Sequence, residues 1–205
     1  KVYVITDRKL LTEENFLDGV ESALKGGIRA IQLREKDLAP AETLNLAREV
    51  RRLTKKYQAR LFVNDRVDIA LMAEADGVHL TESSVSVEEV KSRFPQLLVG
   101  VSTHSLESAK RAEVGGADFV TFSPIFDTPS KRGYGPPQGL DRLKEVTEEV
   151  QIPVLALGGI KRPNVASVQE AGAYGIALIS GIWKARDIAD ESYQYLRYFL
   201  GDSHE

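Results

Sequence analysis

Short apolar, β-branched runs alternate with longer stretches of helical period from one end of this chain to the other. The strand-like runs are Val2–Ile5, Ala30–Leu33, Arg60–Val63, Gly77–Leu80, Leu97–Val101, Phe119–Phe122, Val154–Leu157 and Gly175–Ile179. Continuous apolar runs of this length suit strands covered on both faces, as in a parallel sheet. Between them, Glu42 to Lys56 sets Leu44, Leu46, Ala47, Val50 and Leu53 on one side with charges opposite. Ser105 to Gly115 opens on a serine suited to an N-cap and stops at Gly115-Gly116. Another helix begins at Pro163-Asn164 and ends near Gly172, and the last, Ile188 to Leu200, carries Tyr193, Tyr195, Leu196 and Phe199 as packing residues. Strands alternating with helices imply βαβ units. Five or six such units would give an open doubly wound sheet, whereas eight can close on themselves. The expectation is an α/β chain forming a (β/α)8 TIM barrel, with residues 1–205 as a single domain.

Composition narrows the partners. The net charge of −3 is carried by acidic and basic residues interspersed along the chain, with no basic patch of the kind that marks a nucleic-acid or membrane-surface protein. Without cysteine there are no disulfides, thiolate metal ligands or cysteine nucleophiles. No apolar stretch approaches the roughly 20 residues that cross a bilayer. The opening Lys1 to Thr6 reads as a strand rather than a signal peptide, so a cytoplasmic location is expected.

Residues just beyond strand ends form the working face of such barrels, and here they are polar. Gln32, Arg34 and Lys36 alternate, so all three point to one side. They suit a clamp for a polyanion, with Lys131 added from the long irregular segment Ser123–Gln138; a structural ion pair of Arg34 with Asp65 or Glu35 is the alternative. Asp65 suits Mg2+ bridging phosphate oxygens, or else an ion pair with Arg34 or Arg66, while Asp68 belongs to a helix start. His79, inside an apolar run, reads as a core histidine, and His104 as a capping or catalytic one. Trp183 and Tyr134 read as packing. Gly158-Gly159 after the seventh run and Ser180-Gly181 after the eighth match the phosphate-binding positions of many barrels, where backbone amides and a short helix approach an anion.

Six segments occur together in register: Gln-Leu-Arg-Glu-Lys at 32–36, Asn-Asp-Arg-Val-Asp at 64–68, Gly-Val-His-Leu at 77–80, Gly-Val-Ser-Thr-His at 100–104, Thr-Pro-Ser-Lys at 128–131 and Gly-Gly-Ile at 158–160. In this the chain resembles the thiamine phosphate synthases over nearly its whole length. The resemblance implies an enzyme, a transferase of thiamine biosynthesis, that joins a hydroxymethylpyrimidine diphosphate to a thiazole phosphate and releases pyrophosphate. It implies that Gln32, Arg34, Lys36 and Asn64 contact the pyrimidine diphosphate, that Asp65 ligates Mg2+, and that Ser102 and Lys131 contact the pyrophosphate. Thr128, Ser130, Gly159, Ile179 and Ser180 would bind the thiazole phosphate. It leaves room for a homo-oligomer, a dimer or trimer.

The chain departs from that pattern at one metal ligand. Thr81-Glu82-Ser83-Ser84 stands where the synthases usually read Gly-Gln-x-Asp, so Ser84 replaces a carboxylate. The same segment, with Ile-Ser-Gly-Ile at 179–182, leans toward the related TenI-type thiazole tautomerases, in which His79, His104 or Glu82 would have to supply the acid-base chemistry. Those enzymes are expected to carry a histidine where this chain has Ser123. A thiazole-phosphate-binding protein without turnover is the third alternative.

Overall fold

The computed structural model describes residues 1–11, 16–128 and 136–200. In chain order the strands are β1 (Val2–Ile5), β2 (Ala30–Leu33), β3 (Arg60–Asn64), β4 (Gly77–Leu80), β5 (Leu98–Thr103), β6 (Phe119–Phe122), β7 (Val154–Leu157) and β8 (Gly175–Leu178). The helices between and after them are α1 (Phe16–Lys25), α2 (Pro40–Lys56), α3 (Val67–Met72), α4 (Val87–Arg93), α5 (Leu106–Val114), α6 (Gly139–Glu149), α7 (Val165–Glu170), α8 (Ser180–Trp183) and α9 (Ile188–Leu200). The eight strands follow one another in sequence order as a closed barrel, the (β/α)8 TIM-barrel fold expected from the alternation. By the density of its contacts the chain falls into two compact units. One comprises Val2–His79 with the stretch from Leu178; the other comprises Lys1 with Leu80–Ala177.

In the first unit β1, β2, β3 and β4 pair in parallel, with Ile5 opposite Gln32 and Asn64 opposite His79. All four β1 residues and all four β4 residues are buried, which is why their sequences are apolar without alternation. Pro40 opens α2, where its missing N–H costs nothing, and the Glu42 carboxylate accepts from the Ala39 N–H at 2.9 Å. Helix α9 packs on α1, with Ile188 lying against Gly19, and Trp183 donates its indole N–H to the Ile5 carbonyl at 2.6 Å. Of the packing residues expected on α9, Tyr195 and Phe199 are buried; Tyr193 is 52% exposed, because it lies on the outer side of the helix over Arg197.

In the second unit β5, β6, β7 and β8 pair in parallel. Ser86 and Ser105 cap α4 and α5, each accepting the N–H three residues on at 3.1 Å. The expected helix from Pro163 divides into a 3-10 turn at Arg162–Asn164 and then α7.

A device absent from periodicity recurs in both units. The aspartate before β4, Asp76, accepts the Leu61 N–H and the Arg51 guanidinium, both at 2.7 Å. The aspartate before β6, Asp118, accepts the Val99 N–H and the Lys91 ammonium, both at 2.6 Å. Each carboxylate ties a strand start to the preceding strand and to the helix that leads into that preceding strand.

Candidate functional site

In the first unit the ends of β2 and β3 carry five of the expected site residues. Beyond β2 the chain leaves the ladder, and Glu35 turns inward. Its carboxylate accepts from the Thr6 hydroxyl at 2.6 Å and from the Arg8 N–H at 3.1 and 3.2 Å, and the Arg34 N–H in turn donates to the Thr6 hydroxyl at 2.9 Å. Burial pushes the Glu35 carboxyl above its ordinary pKa. Flanking it, Arg34 is half-buried and Lys36 exposed. Neither Arg34 nor Lys36 has an ion-pair partner among the described residues, so the structural pairing with Glu35 or Asp65 is not what holds them.

Asn64 ends β3 and the next residue, exposed Asp65, has φ 62°, a left-handed conformation uncommon for a residue with a side chain. The Asp65 N–H donates to the His79 carbonyl at 2.8 Å, which seats that backbone on β4. Arg66 forms a two-point pair with Asp68 at 2.8 and 2.6 Å in the first turn of α3, leaving Asp68 in the helix-start role expected. Gln32 is 1% exposed, and its amide Nε2 donates to the Tyr3 hydroxyl at 3.2 Å. His79 is likewise 1% exposed, the core histidine anticipated; burial, with the Arg34 guanidinium adding to it, pushes its pKa down to about 3, so it stays neutral. Also in this unit, Ile179 is half-buried, and Ser180 is exposed at the start of the four-residue α8. Gly181 has a packing reason: a Cβ there would stand 3.0 Å from the Tyr195 hydroxyl oxygen.

In the second unit Ser102, half-buried, lies inside β5 rather than after it. The Thr81–Ser84 segment folds as a turn in which the Ser84 hydroxyl accepts the Thr81 N–H at 2.8 Å and meets the Thr81 hydroxyl at 2.9 Å. Glu82 accepts from the His104 N–H at 3.3 Å. The His104 ring reaches the Ser123 carbonyl at 2.7 Å through Nδ1; a carbonyl only accepts, so the proton is on Nδ1. Thr128, half-buried, donates its hydroxyl to the Phe126 carbonyl at 3.0 Å. Ser130, Lys131 and Tyr134 lie outside the described residues, but the neck of their loop is stitched by Gln138 N–H to Pro124 O at 2.7 Å and Gly139 N–H to Ile125 O at 3.0 Å.

Gly158 and Gly159 have φ of 102° and 67°. A Cβ on Gly158 would lie 2.8 Å from Pro124 Cα, and one on Gly159 2.7 Å from Phe126 Cβ. These glycines are therefore required by the close approach of residues 124–127, a packing reason that the doublet alone did not reveal. Asn164 holds the Gly159 carbonyl through its side-chain amide at 3.1 Å.

No cluster of three or more His, Asp or Glu side chains suited to a metal is present among the described residues. Asp65 alone fits Mg2+ in the mode where one or two carboxylates and substrate phosphates share the ion with water.

A family model described as thiamine monophosphate synthase matches residues 2–182. Among curated relatives, "Putative thiamine-phosphate synthase 2" of Aquifex aeolicus is 56% identical over 180 residues, covering 88% of this chain and 96% of its own. The thiamine-phosphate synthase of Clostridium novyi is 42% identical, covering 94% of this chain and 95% of its own. Among solved structures, a thiamine phosphate pyrophosphorylase from Pyrococcus furiosus superposes with a TM-score of 0.90 at 38% identity, covering 100% of this chain and 97% of that one.

Proposed function

The chain belongs to the thiamine monophosphate synthase family, and from that premise we propose that it condenses hydroxymethylpyrimidine diphosphate with thiazole phosphate, giving thiamine phosphate and pyrophosphate. In this reaction the bond between the pyrimidine methylene carbon and the diphosphate oxygen breaks. The pyrophosphate leaves with that electron pair, and the thiazole ring nitrogen forms the new bond to the methylene carbon. The protein must neutralise the leaving polyanion and hold the attacking nitrogen in line.

The observation that carries this reading is the state of Arg34 and Lys36. Two cations stand on either side of an anchored Glu35 with no protein carboxylate to neutralise them among the described residues. Cations so placed suit an anionic ligand, Arg34 as a planar fork and Lys36 as a movable point charge. Gln32 and Asn64 are assigned to the pyrimidine diphosphate with them. Ser102 and Lys131 are assigned to the departing pyrophosphate, and Thr128, Ser130, Gly159, Ile179 and Ser180 to the thiazole phosphate. Asp65 would hold Mg2+, which when bound supplies positive charge to the diphosphate oxygens. One domain of 205 residues, acting on small phosphorylated molecules in the cytoplasm, is part of the same proposal.

A steady-state assay with both substrates and Mg2+ tests it by pyrophosphate release. Release that depends on both substrates supports the assignment; no release at any Mg2+ concentration would overturn it.

A further inference from the structure

In the first unit, between α8 and the start of α9, lies a cavity of about 400 Å3, a size that takes a small molecule. Ser180, Gly181 and Lys184 line it from the flank of α8, and Arg186 lines it from the connecting loop. Asp187 and Asp190 line it from the α9 side. The α8 flank is pinned from behind: Ile182 and Trp183 are buried, and the Trp183 indole N–H holds the Ile5 carbonyl. The Lys184 N–H donates to the Ser180 carbonyl at 3.2 Å, closing the turn that sets these two residues on one side of the helix.

The walls carry both signs of charge, held apart. Neither Lys184 nor Arg186 forms an ion pair or a side-chain hydrogen bond among the described residues, although carboxylates line the same space. Those carboxylates are engaged within their own helix. Asp187 caps α9, its Oδ1 accepting the Asp190 N–H at 2.9 Å, and the Asp190 carboxylate accepts from the Gln194 amide at 3.2 Å. Negative charge is favoured at a helix start, which keeps both acids on the α9 side. A space with unpaired cations on one wall and fixed anions on the other complements a ligand whose own opposite charges are separated. The condensation proposed above makes such a ligand. Thiazole phosphate has an uncharged ring; once its nitrogen bonds the methylene carbon, that ring is a permanent cation attached to a phosphate ester.

We propose that this cavity is a holding site for the product, in which Lys184 and Arg186 take the phosphate of thiamine phosphate and Asp187 and Asp190 face its cationic ring. The inference rests on the proposed condensation and adds a product site to it. Ser180 belongs both to the cavity lining and to the residues assigned to the thiazole phosphate, so product seated here obstructs the next thiazole phosphate and slows turnover as it accumulates. Thiazole phosphate, without a ring charge, gains nothing from the acidic wall. All four charged side chains are exposed, so each contributes modestly and the preference comes from the set.

The test reads binding and kinetics separately. Equilibrium dialysis of the protein, without Mg2+ or the diphosphate substrate, compares thiamine phosphate, thiazole phosphate and inorganic phosphate. Thiamine phosphate should bind about tenfold more tightly than thiazole phosphate, and high salt should erase most of that preference. Lys184→Ala combined with Arg186→Ala should weaken thiamine phosphate about tenfold and leave thiazole phosphate within about twofold. Asp190→Asn keeps an acceptor for Gln194 and should cut the preference about threefold, with inorganic phosphate unaffected. Thiamine phosphate bound no more tightly than inorganic phosphate overturns the proposal, as does an unchanged preference in Asp190→Asn. Equal weakening of thiamine phosphate and thiazole phosphate in the double variant gives the cations to the substrate and also overturns it. In steady state, thiamine phosphate should compete with thiazole phosphate, and its inhibition constant should rise about tenfold in the double variant while the KM for thiazole phosphate stays put. An inhibition constant equal in the two proteins refutes the site. A wild type that releases no pyrophosphate refutes the proposed reaction, whereas the dialysis still decides what the cavity binds.

Discussion

Glu35→Ala tests whether a buried carboxylate holds the segment that bears Arg34 and Lys36. Glu35 is 8% exposed, and its carboxylate takes the Thr6 hydroxyl and the Arg8 N–H as donors. Thr6 is fully buried and passes the connection on to the Arg34 N–H. Truncation leaves two donors without an acceptor, at about 1–3 kcal/mol for each one kept from water. Thr6 has no route to solvent, while half-buried Arg8 has one, so the expected loss is about 3 kcal/mol. In a chain of this size that lowers Tm by roughly 6–12 °C. Glu35→Gln keeps an acceptor for Thr6 and removes a charge that burial disfavours, so it should cost only about 1 kcal/mol at neutral pH.

The two glutamate states also give this prediction a sign in pH. Folded Glu35 holds its proton more tightly than the unfolded chain does, because burial raises its pKa. Its contribution is therefore full below the ordinary glutamate pKa and declines as pH rises through the raised value. Glu35→Gln lacks that decline, so the stability gap between wild type and Glu35→Gln should be widest at acid pH and narrow toward neutrality. Urea unfolding followed by circular dichroism from pH 4.5 to 8, with equal m-values, measures both effects. A loss below about 1 kcal/mol in Glu35→Ala would refute the anchoring argument. A gap that widens with rising pH would refute the sign.

Three further perturbations follow from the geometry. Gly158→Ala forces a Cβ to within 2.8 Å of the Pro124 backbone at φ 102°, and should cost about 2–4 kcal/mol in urea unfolding; a loss within 0.5 kcal/mol would show that the 124–127 segment yields freely. Ser84→Asp keeps an acceptor for the Thr81 N–H and adds a carboxylate where the family resemblance implies a metal ligand, so the Mg2+ concentration at half-maximal pyrophosphate release should fall several-fold, and an unchanged Mg2+ dependence would count against that reading. Lys131→Ala should depress diphosphate turnover far more than thiazole-phosphate affinity measured by calorimetry, with equal losses contradicting its assignment to the pyrophosphate.

Strand positions were readable because a strand buried on both faces advertises itself as an uninterrupted apolar run. Where the description shifts, hydrophobicity and the hydrogen-bond ladder part company. The fifth run reads as ending at Val101, yet Ser102 stays paired with Thr121 and Thr103 with Phe122. The Thr103 hydroxyl even donates to the Thr121 carbonyl at 3.1 Å. Polar residues at a strand's last positions satisfy the ladder as well as valines do, and no apolar pattern marks them. Asn64 joins β3 on the same terms, opposite His79. The outward Tyr193 misleads in the other direction, since a tyrosine on a helix face carries no sign of whether a neighbour covers it.

The site divides along a similar line. Alternation grouped Arg34 with Lys36 and set Glu35 apart, but β2 ends at Leu33, before all three. It could not say that Glu35 meets Thr6 and Arg8, because those partners come from another strand end 27 and 29 residues away. His79 was legible as a core histidine from the apolar residues on either side of it. Its partner was not, because Tyr3 is 76 residues distant and sits in a strand where an aromatic residue is unremarkable. Polar residues inside apolar runs are therefore the positions at which periodicity stops being informative. Each is costly when buried alone, so each must be balanced by a partner or a ligand, and finding which of the two requires the fold. For Gln32, Tyr3 and His79 the partners lie within the protein, and each was found only once distant strands stood side by side.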